Sequence, residues 1–164
     1  MRMPGVSKYE REQIDALLQA TPMPIQVGAG LALFDAADAL GRYVYDAAVA
    51  PALDSAGLNR AGVEYAFSDR SDLAAVARAI QSAEVIVADV STLNPSILYC
   101  LGLAHALGRY PILLTRIGHD SLPFNLGAVR VIRYRGSQLE LRRLRERLGR
   151  MLRVWLAVTR RGDR

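Results

Sequence analysis

Apolar runs of strand length alternate with helical segments through most of this chain, and this alternation restricts the fold more than any other feature. The apolar runs lie at residues 25–34, 58–67, 84–90, 111–116 and 128–134. Helical spacing of apolar residues is typical of the segments at residues 41–57, 72–83 and 95–107. Strands joined by helices of this length predict a parallel sheet with helices on both faces.

We therefore expect an α/β fold: a flavodoxin-like three-layer sandwich with a five-stranded, mainly parallel sheet in the order 2-1-3-4-5 and a long basic C-terminal helix. The alternating pattern of the fifth run is typical of an edge strand. A chain of 164 residues is long enough for one core. We expect a single domain over 1–164, with an N-terminal helix (7–19) and linker in 1–24, an α/β core in 25–135, and an arginine-rich helix and tail in 136–164.

The composition excludes several classes of protein. No segment approaches the roughly 18 consecutive apolar residues that a transmembrane helix needs. Residues 1–12 lack the apolar core of a secretory signal, and one cysteine cannot form an internal disulfide, so we expect a cytoplasmic location. The chain has no P-loop motif, no paired-cysteine pattern and only two histidines. These absences argue against phosphoryl transfer and zinc chemistry, and we expect no cofactor and no metal site.

Residues 87–108, VADVSTLNPSILYCLGLAHALG, form the most informative strand-to-helix connection. In open parallel sheets, ligands bind beyond the carboxyl ends of the strands, at the point where the strand order reverses. In the expected order this point lies between strand 1, which ends at Phe34 and Asp35, and strand 3, which ends at Asp89. The sequence therefore predicts a ligand site here, where Asp89 is able to accept hydrogen bonds from two ribose hydroxyls.

The turn that follows strand 3 carries groups suited to a sugar or a phosphate. Asn94 is a favoured helix N-cap, and Pro95 suits the first helical position. The start of the helix presents backbone amides that attract anions. Ser91, Thr92 and Ser96 add hydroxyl groups. The alternative interpretation is that these polar residues only satisfy the backbone of the turn.

Cys100 lies one helical turn after Ser96, so the two residues share a face of the helix. A cysteine within an apolar helix is typically a small core residue, and we expect burial to raise its pKa and leave little thiolate. His105 is five residues further on and points elsewhere, while His119 would have to approach through a loop. The sequence therefore gives little support to a Cys–His pair.

A loop with the sequence SLPFN follows strand 4 at residues 121–125 and is positioned to fold over the predicted site. Phe124 is able to stack on a base, and Asn125 adds an amide. Alternatively, the phenylalanine plugs the core. Both interpretations stay open at this point.

Six separated stretches of the chain form a recognisable pattern. They are LFD (33–35), VYDAAVAPALDSAGLNRAG (44–62), SDLAAVARAIQSA (71–83), ADVSTLNPSILYCLGLAHALG (88–108), PILLTR (111–116) and LPFNLGAVRVIRY (122–134). Together they resemble the nucleoside 2-deoxyribosyltransferase-like superfamily, and within it the bacterial TIR-like nucleotide-binding proteins. The signature of that family is a strand ending in ADLT followed by NPNVFYELGYAHALG. The resemblance covers roughly residues 25–148 and implies the flavodoxin-like fold.

The resemblance also implies chemistry at an N-glycosidic bond. In active members of the family, the glutamate of YELG attacks the anomeric carbon of a nucleoside or of an NAD-like ribose, a role that suits a carboxylate. Cys100 occupies that position here, and Gly62 stands where a neighbouring RAD segment of the family has its aspartate. Asp89 and Asn94 are retained. The resemblance thus implies a pocket that has kept its frame and lost its nucleophile.

Three functions stay open on the sequence. The first is a catalytically degenerate module that binds a nucleoside, nucleotide or NAD-like small molecule as a ligand sensor or interaction scaffold. The second is an active N-glycosidase, deoxyribosyltransferase or NAD-type hydrolase, and the third is an arginine-rich adaptor that acts through the last helix. The candidate ligand-binding residues are Phe34, Asp35, Asp89, Ser91, Asn94, Ser96, Tyr99, Phe124 and Asn125, and Cys100 marks the catalytic position.

The C-terminal helix, residues 137–159, is amphipathic and strongly basic. Residues 130–164 contain 12 arginines and three acidic residues, while the whole chain carries a net charge of only +5. The apolar stripe of the C-terminal helix is formed by Leu141, Leu144, Leu148, Met151 or Leu152, and Trp155. The stripe either docks on the sheet or contacts a second copy or a protein partner. A basic groove for nucleic acid or anionic lipid is a third interpretation, and nucleic acid is disfavoured because the helix has almost no aromatic residues for stacking.

Overall fold

The computed structural model describes residues 24–60, 73–118, 122 and 131–162. Its strands are β1 (Gln26–Leu33), β2 (Asn59–Arg60), β3 (Ala83–Asp89), β4 (Ile112–Arg116) and β5 (Val131–Tyr134). They form one five-stranded sheet in the order β2-β1-β3-β4-β5, and every neighbouring pair is parallel. The expected α/β class and the strand order 2-1-3-4-5 are confirmed.

The helices connect the strands in the expected order along the chain. They are α1 (Ala39–Val44), a π-helical turn (Tyr45–Val49), α2 (Ala50–Ser55), α3 (Leu73–Ser82), α4 (Pro95–Ala106) and α5 (Gln138–Gly162). The π-helical turn comes just before Pro51, which lies in the first turn of α2. Because proline has no N–H to donate, the widened turn accommodates it inside one helical run. The helical segment predicted at residues 41–57 is therefore present, with this turn as an interruption.

Several expected features lie outside the described residues. They are the N-terminal helix (7–19), His119, Phe124, Asn125, and parts of the second and fifth apolar runs (61–67 and 128–130).

β3 is the central strand of the sheet, and its sequence explains why. All but one of its residues, from Ala83 to Asp89, are buried, because both faces are covered by helices and both edges are paired. Val131–Tyr134 instead alternates between more and less buried residues, as expected for an edge strand. The register pairs Ala88 with Leu33 and Asp89 with Leu114, so the carboxyl ends of β1, β3 and β4 reach the same edge.

Two apolar clusters lie on opposite faces of the sheet and define three layers. One cluster joins α1, the π-helical turn, α2 and α5 to the sheet, and its large members include Leu53, Leu114, Ile132, Leu141, Leu148 and Leu152. The other joins α3 and α4 to the opposite face, and includes Leu31, Ile80, Ile97, Cys100, Leu101 and Leu113. The three-layer arrangement expected from the sequence is thus present.

The apolar stripe of α5 is buried against the π-helical turn, α2 and β5, although its last member differs from the expected one. The stripe continues through Leu152 to Leu156, both buried, while Trp155 is 43% exposed. From Leu148 onward the buried leucines are four apart, so the line that they form passes to one side of Trp155. Among the described residues, no helix is both long enough and apolar enough to cross a membrane.

Candidate functional site

The reversal of strand order between β1 and β3 brings two connecting segments together at the carboxyl edge of the sheet. Asp35 follows β1, and residues 91–96 follow β3. The Asp35 carboxylate accepts hydrogen bonds from the Ala37 N–H at 3.0 Å and, across the reversal, from the Thr92 hydroxyl at 3.0 Å. The Asn94 side chain also hydrogen-bonds to Asp35. We call Asp35, Thr92 and Asn94 the switch-point cluster.

The switch-point cluster keeps a negative charge at this edge. Burial by itself raises the pKa of the Asp35 carboxyl, but hydrogen bonds from Asn94, the Ala37 N–H and Thr92 outweigh it, and the pKa is lowered below its ordinary value of 3.8. Asp35 is only half-buried, and Thr92 is exposed. The cluster therefore presents an ionised carboxylate and a hydroxyl that solvent reaches.

The start of α4 is formed as the sequence predicts. The Asn94 side-chain oxygen accepts a hydrogen bond from the Ser96 N–H at 2.9 Å, and Pro95 is the first helical residue. The preceding Leu93 has a positive φ of 50°, in the left-handed region. Because the cap occupies the Ser96 N–H and Pro95 has none, much of the donor capacity of this helix start is already used.

Asp89 lies deeper and is tied into the protein. It is 4% exposed. Its Oδ1 accepts hydrogen bonds from the N–H and hydroxyl of Ser91, and its Oδ2 accepts one from the Tyr134 hydroxyl at 2.5 Å. The Ser91 hydroxyl oxygen in turn accepts a hydrogen bond from the Arg116 N–H at 2.9 Å. This buried network links the carboxyl ends of β3, β4 and β5.

Tyr134 is the member of this network that sequence reasoning missed. Burial raises the pKa of its phenol well above the ordinary value, and the negative charge of Asp89 and the hydrogen bond to it raise it further. The phenol therefore stays protonated and acts as a donor. The available signal was a tyrosine at the last position of a strand, at the same edge as Asp89.

An ion pair between Arg116 and Asp38 was also not anticipated. Arg116 ends β4, Asp38 immediately precedes α1, and the two side chains are only 17% and 15% exposed. Gly41 leaves room for the pair, because a Cβ atom there would lie 2.8 Å from the Asp38 carboxylate and would force it to shift. The basic residue that closes PILLTR was the signal in the sequence.

Three of the remaining candidates lie at different depths. Cys100 is fully buried in the cluster between α4 and the sheet, and burial raises its pKa to about 12. Phe34 is 2% exposed and packs edge-on against Tyr45, with ring centroids 5.6 Å apart. Tyr99, in contrast, is 53% exposed. Cys100 and Phe34 are thus core residues in this conformation, whereas Tyr99 is accessible to solvent.

The structure therefore brings together Asp35, Thr92 and Asn94, places Asp89 and Ser91 in a buried network behind them, and leaves Ser96 half-buried at the start of α4. Within the described part of the chain, no group of three or more histidine, cysteine or acidic side chains is arranged to hold a metal ion. Neither a protein-family model, nor a curated protein, nor a solved structure matches this chain.

Proposed function

We propose that this protein is a nucleoside- or nucleotide-binding module without N-glycosidase activity, and that it holds its ligand at the carboxyl edge of the sheet between β1 and β3. The observation that carries the proposal is the switch-point cluster. Asp35 stays ionised there while it is joined to the loop after β3 through Thr92 and Asn94. An ionised carboxylate is a good acceptor for the hydroxyl groups of a ribose.

The state of Cys100 favours binding over catalysis. At the position where the sequence resemblance places the nucleophilic glutamate, this chain has a fully buried thiol with a pKa raised to about 12. The thiolate is the reactive form of cysteine, and almost none of it is present at neutral pH. A thiol also contributes no negative charge to an oxocarbenium-like transition state. This argues against the alternative of an active hydrolase or transferase.

The adaptor alternative rests on the arginines of α5. Its buried stripe packs against α2, the π-helical turn and β5. The arginines, Leu139 and an apolar group formed by Val154, Trp155 and Val158 stay open to a partner. A protein partner or a second copy that uses residues 137–159 would have to bind through these groups. No described contact favours this function over ligand binding.

Thermal unfolding with a panel of nucleosides, nucleotides and NAD tests the proposal. A ligand at about 100 times its Kd stabilises a folded protein by about 2.7 kcal/mol, which corresponds to roughly 5–10 °C in Tm for a chain of this size. We expect at least one ligand of the panel to produce such a shift in the native protein. Asp35→Asn should abolish it, because the neutral amide is a weaker acceptor and also presents a donor to the ribose.

Asp46→Asn is the matched control, since Asp46 is exposed and the same chemical change there should leave the shift intact. Release of free base should be measured in the same samples. Turnover by the native protein that Cys100→Ala abolishes would contradict the proposal, as would a panel in which no ligand raises the Tm.

A further inference from the structure

A second concave site lies at the opposite edge of the sheet, where the strands begin. Its volume is about 220 Å³. It is lined by the first residues of β1, β3 and β4, by the residues that follow α4, and by the last turns of α5; the residues that the argument uses are Ile25, Val27, Glu84, Arg109, Tyr110 and Trp155. It is therefore separated from the switch-point cluster by the length of the strands.

The walls of this amino-edge cavity are largely apolar and aromatic. Ile25 and Val27 are 49% and 76% exposed, and Tyr110 and Trp155 present 73% and 43% of their surfaces to solvent. Apolar side chains grouped around a concave surface are typical of sites that bind small molecules. The size of the cavity suits a ligand with a single aromatic ring or a short aliphatic chain.

Arg109 supplies the polar contact of the cavity. Its guanidinium is partly buried, it has no ion pair among the described residues, and its Nη2 atom is buried without a hydrogen-bond partner. Loss of hydration lowers the pKa of this guanidinium below its ordinary value. Because Arg109 is only partly buried and has no carboxylate partner among the described residues, the accessible part of its guanidinium is open to pairing with an anion in the cavity.

The acidic residue in the cavity wall is not available to Arg109. The two carboxylate oxygens of Glu84 accept hydrogen bonds from Arg160, at 2.7 and 2.8 Å, and Glu84 Oε2 also accepts one from the Gly28 N–H at 2.5 Å. Glu84 is thus fully engaged by its own partners. The lining keeps one net positive charge, which is that of Arg109.

We propose that the amino-edge cavity binds small organic anions with an apolar body and one carboxylate, the carboxylate pairing with Arg109 and the body packing against Trp155 and Val27. This is a binding site in addition to the switch-point cluster, and it does not depend on the proposed function. A planar carboxylate matches the fork of donors that a guanidinium presents.

Trp155 makes the test direct, because it is the only tryptophan in the chain and it lines this cavity. Titration of the full-length protein with phenylacetate should change the tryptophan emission and reach saturation. Phenylacetamide has nearly the same shape without the charge, and it should bind about tenfold more weakly. Acetate, which lacks the apolar body, should give no saturable change.

Variants assign the preference to Arg109. Arg109→Gln should bind phenylacetate and phenylacetamide equally, and Arg109→Lys should keep a preference for the carboxylate. Arg150→Gln removes the same charge from an exposed position outside the cavity and should behave as the native protein. Thermal unfolding of each variant verifies that it is folded.

The comparison of the two probes on the native protein keeps the proposal testable even if a variant does not fold. Equal affinity for phenylacetate and phenylacetamide would overturn it, as would a response to phenylacetate that never saturates. A preference that persists undiminished in Arg109→Gln would do the same. Tryptophan emission that changes with protein concentration alone would assign the cavity to a second copy of the chain instead.

Discussion

The buried thiol of Cys100 predicts a specific loss of stability at alkaline pH. Burial raises its pKa from an ordinary 9.0 to about 12, so the thiol stays protonated in the folded protein when it ionises in the unfolded chain. Above pH 9.0 the unfolded state therefore binds fewer protons than the folded state. The free energy of unfolding must then fall as the pH rises, and it continues to fall until the folded-state pKa is reached.

The size of this effect follows from the shift itself. Each pH unit above the unfolded pKa costs about 1.4 kcal/mol, so at about pH 10.5 the native protein should have lost about 2 kcal/mol relative to Cys100→Ala. All other groups are the same in the two proteins, so their contributions cancel in the difference. Urea unfolding of the two proteins, at a series of pH values from neutral to alkaline, measures it.

Two results would refute the reasoning about Cys100. One is a difference in unfolding free energy between native protein and Cys100→Ala that stays constant across the alkaline range. The other is fast reaction of the folded native protein with dithiobis(nitrobenzoate) near neutral pH. We expect that reaction to be negligible until urea unfolds the chain, and to reach one thiol per chain then, since Cys100 is the only cysteine.

Two further predictions concern buried carboxylates. Tyr134→Phe removes the donor to Asp89 Oδ2 and should lower the free energy of unfolding, measured by urea denaturation, by about 2 kcal/mol. Tyr43→Phe, at an exposed position, is the control and should change the free energy of unfolding by less than about 0.5 kcal/mol. Equal effects of the two changes would contradict the network. Hydrogen bonds from Arg160 lower the pKa of Glu84 below its ordinary value of 4.5, although burial opposes this. The contribution of this carboxylate to stability is therefore complete above pH 4.5 and is lost as the pH falls through the folded-state pKa. The difference in Tm between native protein and Glu84→Gln should accordingly shrink in acid, and a difference independent of pH would argue against the pair.

The local parts of the fold were predictable from the sequence because they depend on short-range patterns. An apolar run predicted the buried β3, and Asn94 followed by Pro95 predicted the start of α4. The strand order was expected from the alternation of five apolar runs with helical segments. Neither inference requires knowledge of which side chains meet across the sheet.

The contacts of the site could not be predicted in the same way. The hydrogen bond from Tyr134 to Asp89 joins residues 45 apart, and the pair between Arg116 and Asp38 joins residues 78 apart. Both depend on how far each strand extends relative to its neighbours. A strand that is buried on both faces, such as β3, has a continuous apolar run whose pattern does not determine that register. The exposure of Trp155 was not predictable for a similar reason, because it depends on how α5 packs against the rest of the fold.

Asp35 and Asp89 were both candidate ligand-binding residues on the sequence, but the structure gives their carboxylates different burial and different partners. Asp89 ends the central strand, where donors from Ser91, in the segment that follows, and from Tyr134, at the end of β5, engage both of its oxygens. Asp35 lies two residues beyond the end of β1; among the described residues, side chains from the loop after β3 reach it, and it is half-buried. A ligand that approaches the edge of the sheet therefore meets Asp35 first, and displacing the partners of Asp89 would expose a buried charge. We accordingly expect loss of the Asp35 carboxylate to weaken ligand binding with little loss of stability, and loss of the Asp89 carboxylate to destabilise the fold itself.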